Sequence, residues 1–266
     1  MEIVVCLKQI VDPEIPASEF RLDPVTKRQV RGSHALVIST YDENALEVAL
    51  QLKEKQGGKV TAVTIGEEQA TEALRKALAM GADEAVLISD PPLLEADDLG
   101  KARVLARAIR KLSSPDLILC GCESADWVSR VVGPFLAEEL GLSCVTFGTH
   151  IELRDGKALV RRIVEDGYHL VETSLPAVVT IASDETNTPR LPKVRDIMAA
   201  VKKPIARLRL ADLGIERGSL QELRQRAVLQ DVVVPVREAR CEFIEGDTPE
   251  EQAERLVLRL KDLKVL

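Results

Sequence analysis

The sequence predicts an α/β fold: a doubly wound, mostly parallel sheet with an antiparallel β-meander and an extended C-terminal arm. Three observations carry this. From Ile3 to Leu140, short apolar runs alternate with segments of helical periodicity, a pattern that requires parallel strands joined by crossovers. Two of the helical segments run into a glycine, Gly81 and Gly141, at the position where helices close. From Val145 onward the alternation gives way to Val/Ile-rich segments broken by turns such as Asp166-Gly167, as in a meander.

Each element follows in order. Ile3 to Leu7 is continuously apolar, as expected of a strand covered on both faces. Arg21 to Val30, bent at Asp23-Pro24, reads as a hairpin or extended excursion. Asp42 to Gln56 places Ala45, Leu46, Ala49 and Leu52 on one face and stops at Gly57-Gly58, a helix with its terminator. Lys59 to Ile65 is the next strand, and Glu67 to Met80 a helix with Ala70, Leu74, Ala77 and Leu78 inward. Strand Ala85 to Ile88, helix Asp97 to Leu112, strand Leu117 to Cys120 and helix Val128 to Leu140 continue the alternation. The meander enters a buried strand, Ala177 to Ala182, through Leu175-Pro176. A polar loop, Ser183 to Thr188, precedes Pro189 and Pro192 with Arg190 between them. A short helix from Val194 to Val201 then ends at Lys202-Lys203-Pro204.

Residues 1–205 therefore read as one α/β domain. Residues 206–266 read as an arm with little core of its own: Leu208 to Gly214, then a charged stretch to Gln230. Thr248-Pro249-Glu250-Glu251 is a capping box with proline at N1, opening a last amphipathic helix to Leu263. Such an arm is expected to wrap a partner subunit, the alternative being a surface element of the same domain.

The net charge of −7 argues against a nucleic-acid binder, which carries a basic stripe. No apolar run approaches the roughly 18 residues that span a bilayer. The start is interrupted at Lys8, too early for a secretory signal, so a cytoplasmic location is expected. Five cysteines, with no C-x-x-C pair, fit reduced thiols. No metal site is expected at the Cys120/Cys122 pair, which lacks a nearby histidine or second pair. The histidines are scattered, and no nucleophile stands with a base.

Ligands of open α/β sheets bind beyond the carboxyl ends of the strands. Three loops lie there: Cys6 to Asp12, Ile65 to Glu68, and Gly121 to Val132. The third, GCESADWVSRVVG, passes from a strand into a helix, presenting backbone N–H groups and about half a positive charge to an anion. Ser124 and Ser129 add hydroxyls; a helix cap without a ligand is the alternative. The chain has no G-x-x-x-x-G-K-[ST], and Cys6-Leu7-Lys8 stands where a G-x-G-x-x-G would. The first absence excludes a P-loop NTPase, and the second argues against a dinucleotide-binding dehydrogenase. An adenylating or amidating enzyme would need a Ser-Gly-Gly loop or a His-x-Gly-His, and neither is present.

The run from Leu159 to Ile205 closely resembles the electron transfer flavoprotein beta-subunit family. LPAVVT from Leu175, Asn187 with Pro189-Arg190 and Pro192, Ile197-Met198 and Lys202-Lys203-Pro204-Ile205 carry the likeness. MEIVVCLKQIVD is similar to the family's first strand, and ALAMGAD from Ala77 to the turn before its third. The resemblance implies a Rossmann-like domain of the adenine-nucleotide alpha-hydrolase type. It implies a non-catalytic electron carrier paired with an alpha subunit, which shares or mainly holds FAD. Electrons would pass from acyl-CoA or other flavin dehydrogenases to a quinone reductase or other acceptor.

By the same resemblance Gly121, Cys122, Glu123, Ser124, Ala125, Asp126, Trp127, Val128, Ser129, Arg130, Val131 and Val132 wrap the phosphate of an adenine nucleotide. Cys6 and Ile65 line the adenosine, and Ser39, Thr40, Tyr41 and Asp42 form a further contacting loop. The nucleotide is AMP in ordinary carriers and the ADP part of a second FAD in the bifurcating, NADH-dependent type. Arg190, Leu191, Val194, Ile197 and Met198 match the partner-docking segment. The loop departs from the family at Cys122, which replaces a basic residue, and at Trp127-Val128, which replace a small-acidic pair. Ser39-Thr40 stand for Asn-Pro. With the usual basic residue lost at Cys122, AMP is expected over a second FAD, since one phosphate needs fewer donors. Aromatic residues make up 3% of the chain, so a flavin ring would rest mostly on the partner. A stand-alone adenine-nucleotide module is the rival reading.

Overall fold

The computed structural model describes residues 1–94, 96–216, 230–234 and 241–266. The chain opens with β1 (Glu2–Leu7), a short ribbon β2 (Gln9–Val11) and β3 (Leu36–Ile38), α1 (Thr40–Gln56), β4 (Lys59–Ile65), α2 (Thr71–Met80) and β5 (Glu84–Ile88). It continues through α3 (Asp98–Leu112), β6 (Leu117–Gly121), α4 (Val132–Leu140), β7 (Ser143–Arg154), β8 (Lys157–Val164), β9 (Gly167–Ser174) and β10 (Ala177–Ile181). Last come α5 (Val194–Lys202), β11 (Ala206–Leu208) and α6 (Pro249–Asp262).

One nine-stranded sheet among the described residues runs β11-β5-β4-β1-β6-β10-β7-β8-β9. It is parallel from β11 to β7 and antiparallel across β7, β8 and β9. The meander thus extends one edge, while β10, made later in the chain, inserts between β6 and β7. β1 shows why the sheet is covered twice. Ile3, Val5 and Leu7 join the core under α1 and α2, and Val4 and Cys6 join the core under α3 and α4, following the period-two alternation of a strand. The chain crosses from β5 to β6, on the far side of β1, and that reversal opens a crevice at the strands' carboxyl ends.

Two expectations need correction. The helix expected from Val128 starts at Val132, because Val128 and Arg130 adopt φ of 55° and 60°, conformations an α-helix cannot hold. The expected boundary at residue 205 falls just before β11, which pairs with β5, and Leu210, Leu213 and Ile215 are buried in the α3/α4 core. The first compact unit therefore includes residues 206–216. Much of the predicted arm, 217–229 and 235–240, lies outside the described residues. Arg21 to Val30 folds back as a short hairpin, the Asp23 N–H donating to Arg28 O at 2.8 Å and the Val30 N–H to Arg21 O at 2.9 Å. A single antiparallel bridge joins Leu22 to Gln29, and Asp23 Oδ1 accepts the N–H groups of Val25 and Thr26 at 3.0 and 2.6 Å.

The second unit begins at Gln230. Its helix α6 keeps half of the expected capping box: Thr248 Oγ1 accepts the Glu251 N–H at 3.2 Å, while Glu251 Oε2 accepts the N–H of Asp247, one residue before the cap, at 3.0 Å. Among the described residues no helix is long and apolar enough to cross a membrane.

Candidate nucleotide site

Asp42, on the first turn of α1, organises the crevice. Its Oδ1 accepts the Gly121 N–H at 2.7 Å and its Oδ2 accepts the Lys8 N–H at 2.8 Å. One buried carboxylate thus ties together the ends of β1 and β6. Burial pushes its carboxyl up to about 7, opposed by those two N–H groups and by the Lys8 charge. Gly121 has to be glycine here: a Cβ would lie 2.7 Å from Asp42 Oδ1 and 2.8 Å from Tyr41 Cβ. Buried Ser39 adds a second tie, its Oγ accepting the Ala125 N–H at 3.1 Å. Thr40 is exposed beside it. Burial, then the Glu123 carboxylate, raise the Tyr41 phenol above its ordinary value.

These ties leave much of the Gly121 loop's backbone free. Cys122 donates to Ile181 O at 2.8 Å and Val128 to Ser124 O at 2.9 Å, and Trp127 donates to Asp126 Oδ1 at 2.9 Å. Among the described residues, the N–H groups of Glu123, Ser124, Asp126, Ser129, Arg130 and Val131 find no such partner. With the left-handed residues Val128 and Arg130 interleaved, this backbone is of the kind that forms anion-binding concavities. Val131 caps α4 and Val132 opens it. A Cβ on Gly133 would lie 2.3 Å from Thr180 Cγ2, so glycine lets α4 approach β10 closely.

Side chains around the loop are mostly committed. Arg130 pairs with Glu123 and lies 5.9 Å over the Phe147 ring. Trp127 is half exposed. Buried Cys6 is the last residue but one of β1, its thiol raised to about 12 by burial and then by Asp42. The Cys122 thiol is raised to about 11 by burial and then by Glu123; neither is a thiolate nucleophile. Ile65, partly buried, ends β4.

Sequence reasoning missed Lys8. Its Nζ lies 2.7 Å from Asp126 Oδ1 and 3.4 Å from Ser124 Oγ, bringing a second cation to a loop whose own, Arg130, is paired with Glu123. Its position at the end of an apolar parallel strand was the available signal.

The docking residues separate into two groups. Leu191, Val194, Ile197 and Met198 are all exposed, Leu191 at 90% and Val194 at 77%. Arg190 instead turns onto α1. Its Nε and Nη2 reach the two Glu47 oxygens at 2.8 and 2.9 Å, it pairs with Glu54, and its N–H donates to Glu47 at 3.1 Å. Its guanidinium is held by α1, whereas the other four side chains are exposed.

The sequence profile of the electron transfer flavoprotein domain matches residues 30–213. The chain belongs to the electron transfer flavoprotein family. Its relatives are beta subunits: it is 37% identical to the electron transfer flavoprotein subunit beta of Thermoanaerobacterium thermosaccharolyticum, over the whole of both chains. It is 39% identical to the subunit beta of Clostridium acetobutylicum over 83% of each chain. It is also 36% identical, again over both whole chains, to the caffeyl-CoA reductase-Etf complex subunit CarD of Acetobacterium woodii. Membership of this beta-subunit family associates the chain with electron transfer in a flavoprotein, and the mostly parallel α/β sheet agrees with it.

Proposed function

We propose that this chain is the beta subunit of a heterodimeric electron transfer flavoprotein. It pairs with an alpha subunit that holds most of the FAD, and buries an adenine nucleotide whose phosphate lies on the Gly121 loop. It carries the surface, Leu191 to Met198, on which flavin dehydrogenases dock, acyl-CoA dehydrogenases among them. Electrons leave through a quinone reductase or another acceptor. The chain itself is an electron-carrier subunit rather than an enzyme. Its free thiols suit the cytoplasm.

The observation that carries the nucleotide reading is the double tie from Asp42 to Lys8 and Gly121. It fixes a loop whose remaining N–H groups are free to receive an anion. The loop's own donors suit AMP. Lys8 at its mouth, and the likeness to CarD, favour as a second reading the ADP part of a second FAD, as in a bifurcating carrier.

Co-expression with a candidate alpha subunit tests the proposal. A yellow complex whose denaturation releases one FAD and one AMP per heterodimer supports the first reading, and two FAD the second. A chain that recruits neither subunit nor nucleotide overturns both.

A further inference from the structure

Val194, Ile197, Met198 and Val201 recur at the spacing of one helix face, and all four are exposed. Of the 9 residues of α5, Ala200 alone is buried. A helix this short does not hold its shape by itself, and one buried methyl group supplies little packing. Polar contacts therefore fix its position. Upstream stands the clamp of Arg190 on Glu47 and Glu54. Downstream, Arg75 on α2 donates through Nη1 to Ala200 O at 2.7 Å and to Lys203 O. Lys203, which closes α5, returns the contact: its Nζ donates to Ala82 O at 2.9 Å, just past the end of α2.

Each helix end is thus held by a cation from the other element. Carbonyls at a helix end lack their full set of intrahelical partners, and a cation there also meets the negative end of the helix dipole. Arg75 lies 125 positions before Ala200 and outside the apolar stripe. It can act on that stripe only through where it holds α5.

We infer that Arg75 is a positioning residue for docking: it holds the C-terminal end of α5 against α2, so that the apolar stripe is already arranged when a reduced flavin dehydrogenase arrives. This rests on the reading of Leu191 to Met198 as the docking surface and deepens it. A surface arranged beforehand loses less freedom on binding, and apparent affinity falls with the fraction of molecules that keep the arrangement. Removing Arg75 leaves the Arg190 clamp and the Asp42 ties of the Gly121 loop in place. The consequence is a weaker encounter, with electron transfer unchanged once the partner is docked.

The test uses the complex with its alpha subunit, an acyl-CoA dehydrogenase kept reduced by its acyl-CoA, and a dye as final acceptor. Arg75→Met should raise KM for the complex about tenfold, as the loss of one charge-assisted contact does, while kcat stays within about twofold. Arg75→Lys keeps the charge on a shorter reach and should fall between the two. Hydrogen exchange should quicken about tenfold at the α5 amides of Arg75→Met and stay unchanged in α1 and β1. Should Arg75→Met not assemble with the alpha subunit, Arg75→Lys carries the same comparison. Val194→Asp separates the inference from the reading beneath it. If Val194→Asp raises KM and Arg75→Met does not, the inference is overturned and the docking surface stands. An Arg75→Met complex that loses kcat and flavin together also overturns it. If Val194→Asp leaves KM unchanged, or wild type takes no electrons from the dehydrogenase, the docking reading fails and the inference with it.

Discussion

Asn44 Nδ2 donates to Asn187 O at 3.0 Å and to Asn187 Oδ1 at 3.1 Å, and these two are the only asparagines in the chain. Asn44 is one of four residues on a single face of α1 that grip the segment after β10. Glu47 and Glu54 hold Arg190, and Gln51 Nε2 donates to Thr186 O at 3.0 Å. The spacing 44, 47, 51, 54 is that of one helix face. The opposite partner, Asn187, also donates to Thr149 O and Ala182 O at 3.1 and 2.8 Å and accepts the Asp184 N–H at 2.9 Å.

Replacing either asparagine therefore strands buried groups. Asn187→Ala, which orphans two carbonyls and an N–H, should cost more than Asn44→Ala, and each orphaned group costs about 1–3 kcal/mol. The double variant should cost less than the sum, because both changes remove the same contact. Urea denaturation of the three variants measures this.

Arg190→Ala should destabilise by about 3 kcal/mol or more, since it leaves the Glu47 carboxylate buried and unpaired; Glu47 is 5% exposed in its side chain. Arg190→Lys should recover only part of the loss, because an ammonium cannot span both carboxylates as the guanidinium fork does. Thermal melts of both variants decide it. Equal stability of wild type and Arg190→Ala would contradict the pairing.

Val194→Asp should slow electron transfer from the dehydrogenase and leave stability within about 0.5 kcal/mol of wild type, as expected for an exposed position. Val194 lies on an apolar surface with Leu191, Ile197 and Met198, and truncating a central apolar anchor weakens transient contacts most. Stopped-flow reduction by the dehydrogenase, with flavin content and a melt as controls, checks it. A fall in stability would show that the residue packs inward.

Asp42 makes a signed prediction about pH. Its folded value is raised from 3.8 to about 7, so between these limits the folded chain binds more protons than the unfolded one. Its contribution is therefore largest at low pH and declines as pH rises through that window. Measured against Asp42→Asn, which removes the titration, wild type should lose relative stability from pH 4.5 to 7. A relative gain over that range would reverse the assignment.

Much of the parallel half of the fold was legible, because buried parallel strands are continuously apolar and helices close on glycine. Ile3 to Leu7 matches β1 to within a residue, and the ends at Gly81 and Gly141 hold. The start of α4 was illegible because nothing in Trp127-Val128-Ser129-Arg130 announces left-handed backbone at two non-glycine positions. Short β11 was missed because its partner strand lies over a hundred residues earlier. The Gly121 loop could be found from its strand-to-helix passage. The loop that holds Lys8 was legible from the same strand-end argument, but the contact of Lys8 with Asp126, 118 positions away, is one that local spacing does not announce. The pairing of Arg190 with Glu47 was illegible because the two are 143 positions apart.

The place of β10 between β6 and β7 bears on how the chain folds as it leaves the ribosome. Until Ala177–Ile181 has emerged, β1, β4, β5 and β6 form one sheet fragment and β7, β8 and β9 another, with no strand to join them. Each fragment then presents an open edge, and unpaired edges recruit other chains. The same late strand shapes the crevice, since Ile181 O receives the Cys122 N–H. A nascent chain stalled before Ala177 therefore has both a divided sheet and a Gly121 loop short of one of its ties, so the sheet and the crevice are completed in one synthetic step.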